Sequence, residues 1–147
     1  MPPMAIPTAA LAGIPAGLQA QGVWAGRRQI FVRFAAEGET ATMYTADALA
    51  SEVRRGTTRS AFHSISISGR DPLSNVEYIC AAFDKLSTTI PVMLDCDGQR
   101  PAEIDQLKGF VTLRRLRSTA RHSRRKVTAR SSRWGWRPKP ECSKHSS

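Results

Sequence analysis

The chain has 147 residues, 41% of them hydrophobic, which is enough for one domain with a buried core. Three cysteines are too few for a disulfide framework and fit a reducing compartment, so we expect a cytoplasmic protein. No apolar run is long enough to span a membrane, and the Pro-rich N-terminus lacks the basic region of a signal peptide.

The charge divides the chain into two parts. The formal net charge is +10, but residues 1–113 carry 10 Lys/Arg and 11 Asp/Glu, whereas residues 114–147 carry 12 Lys/Arg and one acid. A near-neutral body therefore precedes a strongly basic segment.

The first 28 residues are rich in Pro, Ala and Gly and are interpreted as a coil with turns. Alternating strand and helix patterns follow over residues 29–113. Strands are predicted at residues 29–34, 63–68 and 91–96 and from residue 110 to residue 113. Helices are predicted at residues 45–55, 74–86 and 101–107. This order with short loops predicts an α/β fold of about four parallel strands with right-handed crossovers.

Two of the predicted helices begin at residues that favour helix starts. Thr45 is a suitable N-cap, since its hydroxyl can accept a hydrogen bond from a free backbone N–H. Ser74 and Glu77 have the spacing of a capping box.

Residues 114–147 show no strand or helix period, and we expect a disordered basic tail. Its cations could neutralise phosphates, and Trp134 and Trp136 could stack on bases. No nucleic-acid-binding motif accompanies them, which leaves non-specific binding of nucleic acids or polyanions as the expectation. Out-of-frame translation of a GC-rich gene would produce the same composition, and a non-functional product is a further alternative.

Residues 18–34 (LQAQGVWAGRRQIFVRF) form a Gly-bearing turn followed by a strand with Arg33 near its end. This stretch resembles the 7-carboxy-7-deazaguanine synthases, which are radical S-adenosylmethionine (SAM) enzymes, and the resemblance covers about residues 14–113. It implies a partial (β/α) barrel of the radical SAM type, here truncated. It also implies a reaction in which SAM, a [4Fe-4S] cluster and Mg²⁺ convert 6-carboxy-5,6,7,8-tetrahydropterin to a deazaguanine in queuosine precursor synthesis.

The resemblance assigns substrate contacts to one turn and two strand ends. Leu18, Gln19 and Ala20 match the substrate-contacting turn, and Ser68 belongs to the loop after the second predicted strand. Arg33 matches the arginine that binds the substrate carboxylate, for which a guanidinium offers a bidentate fork. A solvated strand end is the alternative reading of Arg33.

Two further loops resemble the SAM-binding segments of the family. Gly69 and Asp71 lie in SGRDP (residues 68–72), which resembles the GGEP motif. Asp95 and Asp97 lie in DCDG (residues 95–98), which resembles the segment that lines the SAM ribose and carboxylate. An ordinary turn is the alternative in both places. The resemblance thus assigns Gly69, Asp71, Asp95 and Asp97 to SAM, and we expect no metal at Asp95 and Asp97, for which a plain Asp-Gly turn is the alternative.

The chain departs from the family at the loop that carries its chemistry. No cysteine precedes Cys80, so the CxxxCxxC-type cluster loop and the Mg²⁺ ligand that follows it are missing. Cys80 is interpreted as a core residue, and Cys142 and His145 alone are too few ligands for zinc. We therefore expect a degenerate, catalytically inactive relative without cluster or Mg²⁺. Its truncated sheet would expose an edge that a homo-oligomer could cover.

Overall fold

A computed structural model describes residues 5–117. They form one seven-stranded mixed sheet with three α-helices and a short 3₁₀-helix. The strands are β1 (Thr8–Gly13), β2 (Ala16–Leu18), β3 (Arg28–Phe34), β4 (Thr42–Thr45), β5 (Ser64–Gly69), β6 (Val92–Cys96) and β7 (Leu113–Leu116). The helices are α1 (Ala46–Arg59), α2 (Val76–Leu86) and α3 (Pro101–Gln106), and the 3₁₀-helix spans Pro72–Asn75. None of the helices in this part of the chain is both long and apolar enough to cross a membrane.

The predicted α/β fold is confirmed by the half of the sheet that contains the helices. β3, β5, β6 and β7 are adjacent in that order, and each neighbouring pair is parallel. α1, α2 and α3 provide the three crossovers between them. Because the strands follow one another in sequence order, this half contains no reversal of strand order.

The other half of the sheet is antiparallel and was not predicted. β1 and β2 both pair with β3, and β4 pairs with β1 at the outer edge, giving the order β4-β1-β3-β5-β6-β7. The interpretation of residues 1–28 as coil is therefore wrong. Ala9 and Leu11 of β1 are buried, and pairing with two strands compensates for a local sequence that has few β-forming residues.

Helix α1 begins as its sequence predicts but ends later. The Thr45 side chain accepts a hydrogen bond from the Ala48 N–H at 3.1 Å, as expected of an N-cap. The helix continues past the predicted end at residue 55 to Arg59. Gly56 lies within this extension, where an added Cβ would stand 3.0 Å from Ile30 Cδ1, so the glycine allows the helix to lie close to β3.

Helix α2 begins at Val76, and the predicted capping box is not formed. Asn75 is its N-cap and makes no side-chain capping hydrogen bond. Ser74 lies in the preceding 3₁₀-helix, and its hydroxyl donates to the Asp71 carbonyl at 2.9 Å. Pro72 starts that extra turn, which shifts the beginning of the α-helix away from Ser74.

The two faces of the parallel half differ in chemistry. Toward the helices the strands present branched apolar side chains, and Phe34 meets the Tyr78 ring of α2 edge-on with centroids 6.2 Å apart. On the opposite face β5 presents Ser64 and Ser66, both of them buried. Strand alternation separates the two sets, so one face forms the core and the other carries polar groups.

The basic segment begins inside the fold. β7 reaches Leu116, three residues beyond the predicted domain boundary at residue 113, and the Arg117 N–H donates to the Cys96 carbonyl at 2.7 Å. Within residues 5–117, β7 pairs only with β6, which leaves its other edge without a strand. The rest of the predicted disordered tail lies outside the described residues.

Candidate functional site

A cavity of about 520 Å³ lies at the carboxyl ends of β5 and β6. The loop after β5 forms one side of it, and the loop between β6 and α3 forms the other. Ligands of open α/β sheets bind at this edge. The lining residues are Arg70, Asp71, Pro72, Leu73, Cys96, Asp97, Gln99, Arg100 and Arg117.

The cavity brings together two of the four residues assigned to SAM by resemblance. Asp71 and Asp97 line it, from segments 26 positions apart in sequence, whereas Gly69 and Asp95 are not among its lining residues. The two predicted cofactor loops are therefore adjacent in space, although only part of each faces the cavity.

The Asp71 carboxylate already has a cationic partner. Asp71 adopts a left-handed backbone conformation (φ 39°), and its Oδ2 lies 3.0 Å from Nη2 of Arg100. This ion pair bridges the loops after β5 and β6. The carboxylate that the resemblance assigns to SAM is thus engaged by the protein itself.

The backbone of Phe34 leaves no room for a side chain at Gly69. Its φ is +97°, and a Cβ at this position would stand 2.2 Å from the Phe34 carbonyl oxygen. The Arg70 N–H donates to the same oxygen at 3.0 Å. Close approach of β3 therefore explains this glycine without a ligand, as for an ordinary turn.

Asp95 lies on the polar face of the sheet and contacts two arginines. Arg115 belongs to β7, and Arg117 follows its last residue. Its Oδ2 accepts from Arg115 Nη1 at 3.2 Å, and its Oδ1 lies 3.3 Å from Arg117 Nε without forming a hydrogen bond. Arg115 also donates to the Gln21 side chain, and Arg117 Nη2 donates to the Gly69 carbonyl at 2.9 Å. The carboxylate thus joins the basic segment to the sheet.

Asp97 is exposed at the turn after β6. Its Oδ1 accepts a hydrogen bond from the Gln99 N–H at 3.0 Å, and Gly98 follows it with a φ of +77°. Asp-Gly turns of this kind form without any ligand. Among residues 5–117 no cluster of three or more metal-ligating side chains includes Asp97 or Asp95.

The residues of the predicted substrate turn separate into one buried and two exposed side chains. Gln19 is buried, and its Nε2 donates to Gln29 Oε1 at 2.9 Å. Gln29 in turn donates to the Ser64 hydroxyl at 2.7 Å. Leu18 and Ala20 face solvent. Gln19 therefore fixes the turn against the polar face of the sheet.

Arg33 and Ser68 are register partners at the ends of β3 and β5. Arg33 is 48% exposed, and its Nη2 lies 3.2 Å from Glu39 Oε1. Glu39 also accepts from the Ala36 N–H at 2.9 Å. Ser68 is half-buried. Arg33 therefore matches the alternative reading of a solvated strand end, and its ion-pair partner is the nearby Glu39.

A tight turn occupies the position where the family carries its cluster loop. After β3, the Glu39 N–H donates to the Ala36 carbonyl at 3.1 Å, and the chain then enters β4. The two cysteines among residues 5–117 lie elsewhere: Cys96 is buried at the end of β6, and Cys80 lies on α2. Burial raises the pKa of both thiols, which disfavours the thiolate that an iron ligand requires. These residues do not fit a [4Fe-4S] cluster.

Sequence reasoning missed the arginines of the cavity and the polar network behind it. Arg70, Arg100 and Arg117 line the cavity. Arg70 lies in the SGRDP loop but was assigned no role there, and Arg100 and Arg117 lie in no recognisable motif. The serines at alternate positions of β5 were the sequence signal for this network. Polar side chains on one face of a central strand are buried and therefore need hydrogen-bond partners on that face. His63 extends the network with Nδ1 2.9 Å from Ser64 Oγ, and Trp24 contacts its ring edge-on.

Comparison with known proteins gives no family for the chain. No family model, curated protein or solved structure matches it.

Proposed function

We propose that this chain is a degenerate relative of the 7-carboxy-7-deazaguanine synthases that keeps a parallel scaffold and a ligand cavity but not the radical reaction. The resemblance of residues 18–34 and of the two loops supports the relationship. Four parallel strands in sequence order, with a polar face opposite the helices, are compatible with part of a (β/α) barrel.

The observation that carries the proposal is the adjacency of the two loops. SGRDP and DCDG each resemble a SAM-binding segment of the family, and Asp71 and Asp97 line the same cavity. Because β5 and β6 are adjacent parallel strands, the loops that follow them meet at one edge of the sheet, where one ligand could contact both. The ligand expected by resemblance is SAM, with a pterin-like molecule near Gln19, Arg33 and Ser68.

Loss of the reaction follows from the thiols of the chain. Reductive cleavage of SAM needs an electron from a cluster, and a cluster needs several converging thiolates. The segment after β3 has none, and Cys80 and Cys96 lie on separate elements with raised pKa values. The proposed protein therefore lacks the radical reaction, and ligand binding in the cavity is a separate part of the proposal.

The test is anaerobic reconstitution of the full chain with iron and sulfide, followed by SAM, a strong reductant and 6-carboxy-5,6,7,8-tetrahydropterin. We expect no SAM-responsive paramagnetic signal and no 5′-deoxyadenosine above a heat-denatured control. A stoichiometric cluster whose spectrum changes on addition of SAM would refute the loss of the reaction.

A second candidate function is non-specific binding of nucleic acid or another polyanion through the basic segment. Residues 114–147 carry 12 Lys/Arg against one acid, and phosphate neutralisation by such a segment releases counterions. Binding to two unrelated DNA duplexes should therefore be equal and should fall steeply as salt is raised. A preference for one sequence that persists at high salt would instead indicate a selected recognition element.

A homo-oligomer is the partner that the sheet edge suggests. β7 pairs only with β6 within residues 5–117, and Leu116 is 64% exposed. Unpaired strand edges favour pairing with another chain. Light scattering coupled to gel filtration should show a mass above that of the monomer, and a strictly monomeric protein at high concentration would contradict this.

A further inference from the structure

We infer that the cavity between the loops after β5 and β6 binds an anionic small molecule, through a phosphate or carboxylate group, at a site lined by Arg70, Arg100 and Arg117. The inference rests on one part of the proposed function, namely that this cavity binds a ligand. It differs from the resemblance in the ligand's net charge, since the sulfonium and ammonium groups of SAM outweigh its single carboxylate.

The charges around the cavity favour an anion. Three guanidinium groups and two carboxylates line it, from Arg70, Arg100, Arg117, Asp71 and Asp97. Asp71 is compensated by Arg100 at 3.0 Å. No salt bridge within residues 5–117 includes Arg70. The lining side chains therefore sum to one positive charge, although Arg117 is also paired with Asp95 at 3.3 Å. Arg70 and Asp97 are the lining charges without a salt bridge among residues 5–117.

The donors of these arginines are only partly used by the protein. Arg100 contacts Asp71 through Nη2, and Arg117 contacts Asp95 through Nε and the Gly69 carbonyl through Nη2. Each guanidinium has five N–H donors in a planar fork. The remaining donors suit the oxygen atoms of a phosphate or carboxylate, which arginine binds in a bidentate manner.

The apolar part of the lining and the size of the cavity suit a small molecule. Pro72, Leu73 and Cys96 are buried residues that contribute to the cavity wall, and its volume is within the range of about 300–1,000 Å³ that small-molecule sites occupy. The Arg100 and Arg117 side chains are each 42% exposed, so water partly screens their attraction for an anion. A cationic ligand would find Asp71 already engaged by Arg100, which leaves Asp97 as the one lining carboxylate without a salt bridge among residues 5–117.

The experiment is a titration of the full chain with inorganic pyrophosphate at physiological salt, followed by ¹⁵N–¹H NMR and isothermal calorimetry. We expect saturable shifts of the Arg70 and Gly98 amides, which lie in the two cavity loops. R70Q should weaken binding about fivefold, the size expected for one partly solvated charge interaction. D97N should strengthen binding, because it removes a negative charge from the lining.

R59Q is the matched control. It removes the same charge at the end of α1, where the chain approaches the start of β5, and thus at the opposite edge of the sheet from the cavity. Its affinity for pyrophosphate should equal that of the unmodified chain. This comparison also distinguishes the cavity from the basic residues 118–147, which are unchanged in all the variants.

The possible results separate this inference from the proposed function. Pyrophosphate binding that R70Q and R59Q reduce equally, or no saturable binding, overturns the anion site. SAM binding with shifts in the same loops but no response to pyrophosphate overturns it too, while leaving the ligand cavity of the proposed function in place. Formation of 5′-deoxyadenosine in the reconstitution experiment refutes the proposed loss of reaction without affecting the anion site.

Discussion

Asp95 and Arg115 form an ion pair across the parallel strands β6 and β7, with Nη1 3.2 Å from Oδ2. The Asp95 side chain is only 11% exposed and that of Arg115 24%, so water screens the pair weakly. Arg115 belongs to the basic segment by composition, yet it is part of the sheet. The pair therefore attaches the start of that segment to the domain.

The first prediction concerns the charge of Asp95. D95N keeps the side-chain shape but leaves Arg115 and Arg117 without their carboxylate, and we expect the free energy of unfolding to fall by about 1–3 kcal/mol. D84N, at an exposed position of α2, is the control and should change stability by less than about 0.5 kcal/mol. Urea unfolding followed by circular dichroism measures both. Equal effects of the two variants would contradict a structural role for the pair.

The second prediction concerns where the domain ends. A chain ending at Ala120 keeps β7 and both arginine contacts to Asp95, so its unfolding should remain cooperative. A chain ending at Leu113 loses the β7 pairing with β6 and leaves Asp95 without its cations. We expect it to be less stable by at least about 2 kcal/mol or to aggregate. If both truncations unfold at the same urea concentration, β7 contributes nothing to the domain.

The third prediction tests why residue 69 is glycine. G69A would place a Cβ 2.2 Å from the Phe34 carbonyl oxygen at a φ of +97°, and should destabilise the protein by about 2–4 kcal/mol without any ligand. G109A is the matched control, because nothing lies within 4 Å of its added Cβ. Thermal unfolding of the two variants compares them directly. An unchanged melting temperature in G69A would mean that the glycine serves a ligand instead.

The fourth prediction concerns the buried hydroxyl of Tyr78. Its ring is 3% exposed, and its oxygen has no hydrogen-bond partner within residues 5–117. Y78F keeps the ring contact with Phe34 and removes the unpartnered hydroxyl. We expect Y78F to be as stable as the unmodified chain or more stable by up to about 1 kcal/mol at neutral pH.

The pH dependence of Y78F follows from the same burial. Burial, with a smaller effect of Tyr44, raises the pKa of Tyr78 above its usual 10.0. Above this value the unfolded chain releases a proton that the folded chain retains, so stability falls as the pH rises. Y78F should flatten this decline between about pH 9 and pH 11. The raised thiol pKa values of Cys80 and Cys96 affect both proteins alike. Parallel urea titrations that show the same slope for both proteins would contradict this.

The sequence predicted β3, β5, β6 and the helices beside them because their information is local. The fourth strand was predicted at residues 110–113, and the structure places it at Leu113–Leu116. The apolar run of β3, the alternation of β5 and the helical stripe of α2 each lie within one short window. Thr45 likewise identifies the start of α1 through a contact only three residues away. Short crossovers between such elements then determine a parallel arrangement.

The antiparallel half could not be predicted in this way. β1 and β2 have few β-branched or aromatic residues and become strands by pairing with β3, which is a contact between distant parts of the chain. The predicted capping box of α2 is also absent. Pro72 starts a separate 3₁₀ turn that includes Ser74, so Ser74 does not cap the α-helix. In both places the tertiary context outweighed local preference.

By itself, then, the sequence determined an α/β domain, its main helices, a basic C-terminal segment and the absence of cysteines from the segment after β3. Only the tertiary structure decided that Arg115 and Arg117 serve the sheet, that Gln19 is buried, and that Arg70 and Arg100 share a cavity. Composition and hydrophobic periodicity depend only on each residue and its near neighbours in the sequence. Ion pairs and cavities depend on which distant residues the fold brings within a few ångströms, and a single sequence does not state those distances.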